Sequence, residues 1–123
     1  MAANVLVVDD EQDIRQFLCD ILEDEGYTVR VAEDGVRAMD LVNEQTPDLV
    51  LLDLLMPRET GTGFFRKLHG KTALKEVPVI VISGLAGRNI AVSRDVPVFD
   101  KPIDQQKLLE TIRGLLDPAA KSA

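Results

Sequence analysis

Apolar residues fall along this chain in short runs, and between the runs they recur every three or four positions. Four runs stand out: Val5-Leu6-Val7-Val8, Leu49-Val50-Leu51-Leu52, Val77-Pro78-Val79-Ile80-Val81-Ile82 and Val96-Pro97-Val98-Phe99. A run with no polar alternation suits a strand buried on both faces, as in the parallel sheet of an α/β domain. Tyr27 to Ala32 reads as a further strand. Between the first two strands Ile14, Phe17, Leu18, Ile21 and Leu22 share one helical face, and Gly26 marks the close of that helix. A second helix carries Val36, Ala38, Met39 and Val42 after the turn Glu33-Asp34-Gly35, and Thr46-Pro47 breaks it. Phe64, Phe65 and Leu68 suggest a short helix behind a glycine-containing loop. In a last helix, Leu108, Leu109, Ile112, Leu115 and Leu116 line one face, with Asp104 placed to cap it.

Strands that alternate with amphipathic helices, over connections too long for hairpins, predict parallel strands joined by right-handed crossovers. The pattern fits a flavodoxin-like (βα)5 three-layer sandwich with strand order 2-1-3-4-5. Pro97 is tolerated only on an edge strand or at a strand's first residue, so the fifth strand belongs outermost. The stretch from Ser83 to Lys101 holds Gly84, Gly87 and Arg88-Asn89, which disfavour a regular helix. The fourth helix is therefore expected to be short or irregular.

Residues 1–123 are one domain's worth of chain, with a core expected over about 4–116 and a small polar tail over 117–123. A net charge of −7 argues against a nucleic-acid footprint, which needs a basic face. The one cysteine, Cys19, leaves no disulfide framework, which fits a reducing compartment. No signal peptide or stretch of membrane-spanning length is present, so a cytoplasmic location without membrane attachment is expected.

The chemistry gathers where the apolar runs stop. Leu49 to Leu52 ends on Asp53, and Val5 to Val8 ends on Asp9-Asp10-Glu11. The predicted order sets those two strands side by side at a topological switch point, where open α/β sheets keep their ligand sites. Ser83 and Lys101 would arrive from the ends of the fourth and fifth strands. Carboxylates about 4 Å apart repel by about 4 kcal/mol per pair at an effective dielectric of about 20, so a cation is called for. All-oxygen ligation with several waters retained describes Mg2+ better than zinc or copper. A carboxylate beside such an ion can act as nucleophile toward phosphorus and form an acyl phosphate. Taken singly, Asp9-Asp10-Glu11 could be a solvated helix start, Ser83 a turn cap and Lys101 a surface residue.

Together and in order, Asp9-Asp10, Asp53-Leu54-Leu55-Met56-Pro57 with Gly61 beyond, Ser83-Gly84 and Lys101-Pro102 resemble the receiver domain of two-component response regulators, from Val5 to about Leu116. The resemblance implies that Asp53 is the phosphoacceptor and also a Mg2+ ligand, Asp10 a direct Mg2+ ligand, Asp9 a ligand mainly through water, and the Leu55 carbonyl a further ligand. It implies that the Ser83 hydroxyl takes a phosphoryl oxygen, that Lys101 pairs with the phosphoryl charge, and that the Lys101-Pro102 peptide is cis. The expected partners are a histidine kinase or phosphotransfer protein and an unidentified downstream protein. Such a domain assists its own modification but turns over no free substrate. Asp53 must then be reachable from solvent.

The chain departs from the family pattern at Val98, where an aromatic residue, often Tyr, is usual, and in the short stretch between Ser83 and Lys101. Both features predict an altered output surface. Leu55 and Leu85, each two residues beyond a site residue, are apolar and cannot orient an attacking water, so slow loss of phosphate is expected. Two other classes fit less well. A Mg2+-dependent phosphatase with an aspartate nucleophile would want an acid where Leu55 stands, and a pure interaction module would not need the full residue set.

Overall fold

The computed structural model describes residues 3–53, 77–83, 97–100 and 103–116. Five parallel strands, β1 (Asn4–Val8), β2 (Thr28–Ala32), β3 (Leu49–Leu52), β4 (Val79–Ser83) and β5 (Val98–Asp100), form one sheet in the order β2-β1-β3-β4-β5. Three helices are described: α1 (Gln12–Asp24), α2 (Gly35–Glu44) and α3 (Gln105–Leu116). The short helix expected near Phe64 and the irregular fourth helix fall outside the described residues, as does the Lys101-Pro102 peptide.

Side chains on a strand point to alternate faces, and the core divides accordingly. Leu6, Val8, Val50, Leu52, Val79 and Val81 face Ala38, Leu41 and Val42 of α2. Val5, Val7, Leu49, Leu51, Ile80 and Ile82 face Leu18, Ile21 and Leu22 of α1 and Leu108 and Ile112 of α3. The sheet is thus the middle of three layers. Both β1 and β3 are buried along their whole length, which is why neither needed polar alternation.

Both edges match their sequences. On one side β2 is only partly covered and carries exposed Thr28 and Val31. On the other, Pro97 immediately precedes β5 and joins the ladder through its carbonyl, which accepts from the Val81 N–H at 2.9 Å.

Local signals fix the connections. Gly26, at φ 91°, takes the left-handed conformation that ends α1. Asp34 caps α2 by accepting from the Arg37 N–H at 2.9 Å, and Asp104 caps α3 by accepting from the Lys107 N–H at 3.1 Å. Arg30 reaches from β2 to the last turn of α2, donating to the Leu41 and Gln45 carbonyls at 2.8 and 2.7 Å, and to Asn4 Oδ1 at 3.2 Å. This guanidinium ties the sheet edge to the negative end of the α2 dipole, where the Leu41 carbonyl also accepts from the Gln45 N–H at 3.1 Å. No helix among the described residues is long and apolar enough to cross a membrane.

Candidate metal and phosphoacceptor site

Strands β1 and β3 are hydrogen-bonded neighbours in a register that pairs Val8 with Leu52. Their next residues, Asp9 and Asp53, therefore leave the sheet at the same height and on the same edge. The Asp53 N–H donates to the Val8 carbonyl at 2.9 Å, and the Asp9 N–H donates to the Ala32 carbonyl at 3.1 Å. Each acid is thus held by the strand beside it.

The turn from β1 into α1 is built on Asp9 itself. Its Oδ1 accepts from the Glu11 N–H at 2.8 Å, an Asx-type turn that shapes the entry to the helix. Glu11 occupies the N-cap with extended backbone (φ −91°, ψ 117°), but its side chain makes no capping bond. Arg15, one turn into α1, donates from Nη1 to the Asp9 carbonyl at 2.7 Å.

The result is a four-carboxylate cluster. Oxygens of Asp9, Asp10, Glu11 and Asp53 all lie within 4.8 Å of one another. Asp9 and Asp53 are 2% and 4% exposed, whereas Asp10 and Glu11 are open to solvent. Asp53 is less accessible than a phosphoacceptor was expected to be, and Asp10 and Glu11 form the solvent side of the cluster among the described residues. Hard oxygen donors at this spacing, two buried and two exposed, suit a hydrated divalent ion such as Mg2+, which keeps several of its waters.

The structure gathers three of the predicted site residues, Asp9, Asp10 and Asp53. Ser83 ends β4, two positions past Val81, the partner of Leu52, and pairs with Asp100 at the end of β5. Its main chain stands at the same sheet edge as the acids, one strand further along. Leu55 and Lys101 lie outside the described residues. Two residues that the sequence did not single out join the site. Glu11 was legible only as part of a three-acid run directly after a strand; Arg15 looked like any polar position on an amphipathic helix.

A family model described as the response regulator receiver domain matches residues 5–113. The chain belongs to that family. This receiver is 32% identical over 121 residues to protein Rrf1 of Nitratidesulfovibrio vulgaris, an alignment that covers 98% of this chain and 88% of Rrf1. It is 34% identical over 123 residues to response regulator MprA of Mycobacterium sp. strain KMS, covering 94% of this chain and 51% of MprA. The receiver therefore spans about half the length of MprA. Among solved structures it resembles the signal receiver domain of a signal transduction histidine kinase from Syntrophus aciditrophicus, with TM-score 0.87, 28% identity, and coverage of 96% of this chain and 92% of that one. The domain is a phosphorylation-dependent signalling receiver, of a family that generally binds Mg2+ at an acidic pocket, and the carboxylate cluster is compatible with that ion. Its relatives imply a histidine kinase upstream and an effector downstream.

Proposed function

We propose that this receiver takes a phosphoryl group from a phosphohistidine of its kinase onto Asp53 and signals through the resulting change of shape. The observation that carries the reading is the convergence of Asp9, Asp10 and Asp53 at neighbouring strand ends in a chain of this family. A carboxylate oxygen of Asp53 attacks phosphorus, the bond from phosphorus to the imidazole nitrogen breaks, and the departing imidazole is left to take a proton. Asp10 and Asp53 would hold Mg2+ directly, with the Leu55 carbonyl, and Asp9 would hold it through water. The ion, when bound, supplies charge neutralisation at the phosphoryl oxygens. Ser83 receives one of those oxygens through its hydroxyl, and Lys101 pairs with the charge left behind.

Phosphorylation adds about two negative charges, which draw Ser83 and Lys101 inward and bias a two-state equilibrium that a partner protein reads. Residues 1–123 act as one receiver domain that turns over no free substrate, and a cytoplasmic location fits this role. Val98, in place of the usual aromatic residue, would leave that equilibrium without the common ring switch. Incubation with acetyl phosphate and Mg2+, followed by intact mass spectrometry, tests the assignment. Native protein should gain one phosphoryl mass and Asp53→Asn none; equal gain by both, or none by the native protein, would reject Asp53 as the acceptor.

A further inference from the structure

We propose that Arg15 is a positioning residue for the cation site, holding the main chain that carries Asp9, Asp10 and Glu11 so that their carboxylates stay gathered. The inference rests on reading the cluster as a Mg2+ site. Of the polar main-chain groups of Asp9 and Glu11, two are met by Ala32 and by the Asp9 side chain. The other two both go to Arg15. Its N–H donates to the Glu11 carbonyl at 3.1 Å, and its Nη1 donates to the Asp9 carbonyl at 2.7 Å. Arg15 thus grips the segment at both ends, with Asp10 between them. Any residue at this helical position would make the first bond; only a long donor can make the second. Arg15 is half-buried, and a short charge-assisted bond in such surroundings fixes geometry well.

Charge alone would act in the opposite sense. A guanidinium close to a cluster of carboxylates offsets part of the field that attracts a dication, so losing it should tighten Mg2+ binding. Losing a positioning contact should loosen it. The direction of the change therefore separates the two roles.

The test is calorimetric titration of the full chain with MgCl2 for native protein, Arg15→Met and Arg15→Lys, with thermal unfolding recorded for each. Arg15→Met should bind Mg2+ about tenfold more weakly, the scale found when contacts behind metal ligands are removed. Phosphorylation from acetyl phosphate should then need about tenfold more Mg2+ but reach the native plateau. Arg15→Lys, whose ammonium can reach a carbonyl, should recover part of the loss. Native or tighter affinity in Arg15→Met would overturn the proposal. If that variant does not fold, Arg15→Lys decides: a weakening of about threefold supports the role, and native or tighter affinity overturns it. A native protein that binds no Mg2+ would sink the cation-site reading, and the positioning role with it.

Discussion

Replacing Asp53 by Asn should stabilise the receiver when no divalent cation is present and destabilise it, relative to native protein, when Mg2+ is plentiful. Asp9 and Asp53 are both buried, with oxygens no more than 4.8 Å apart. At that distance two unit charges repel by about 3.5 kcal/mol at an effective dielectric of about 20. Asn keeps the shape and the main-chain bond to Val8 while removing one charge. Asp53 takes part in a further interaction, and a bond to a charged group is worth about 1.5–3 kcal/mol, which offsets part of the gain. The net gain should be about 1 kcal/mol, or about 4 °C in the thermal midpoint of a domain this size. Magnesium reverses the order: at about a hundred times its dissociation constant it adds about 2.7 kcal/mol to a protein that binds it, and far less to one short of a ligand.

The assay is urea unfolding followed by far-ultraviolet circular dichroism, for both proteins, in EDTA and in saturating Mg2+. A crossover in midpoint between the two conditions is the expected result. An Asn variant less stable than native in EDTA would show that repulsion between the buried acids is not the dominant strain. Equal stabilisation of both proteins by Mg2+ would show that Asp53 does not contribute to the ion's site.

Further outcomes follow from three other parts of the molecule. Arg30→Met removes a guanidinium that bonds Asn4, Leu41 and Gln45, and should cost about 2 kcal/mol; a urea midpoint unmoved within error would reject that clamp. The Cys19 thiol has its pKa raised above 9.0, first by burial and then by Glu23 and Asp20, so iodoacetamide should react slowly at neutral pH with a pH midpoint above 9.0. The folded state binds that proton more tightly than the unfolded chain does, so this thiol lowers stability only as pH climbs past 9.0, and a Cys19→Ala protein should lose less stability there. Leu55→Asn, which adds a polar group two residues beyond Asp53, should shorten the lifetime of the aspartyl phosphate as measured by loss of phosphoryl mass. An unchanged lifetime would remove Leu55 from any role in protecting it.

The part of this receiver that its sequence makes legible is the part governed by periodicity. Val5 to Val8 and Leu49 to Leu52 suited strands covered on both faces, and the structure buries them so. Pro97 favoured an outermost fifth strand, and β5 is at the edge. Those facts set Asp9 and Asp53 side by side, because an acid that follows a buried parallel strand must emerge at the sheet's carboxyl edge. Periodicity is silent on what a polar side chain does after it leaves the apolar face. Gln12, Asp13, Arg15 and Gln16 are equivalent to a hydrophobic pattern, yet among the bonds described only Arg15 turns back to the strand end.

The same limit explains Asp53. A sequence can place it at the sheet edge, but its 4% exposure is set by tertiary packing, which hydropathy does not encode. Glu11 lies between these extremes. Its place in an acid run was visible, and its role turned on whether its side chain capped the helix. In the structure the Asp9 carboxylate takes the Glu11 N–H, while the Glu11 carboxylate makes no capping bond and joins the cluster. The turn that starts α1 therefore also adds a fourth carboxylate to the site. Any substitution at Asp9 should then act twice, on the charge of the site and on the helix entry that presents Asp10 and Glu11.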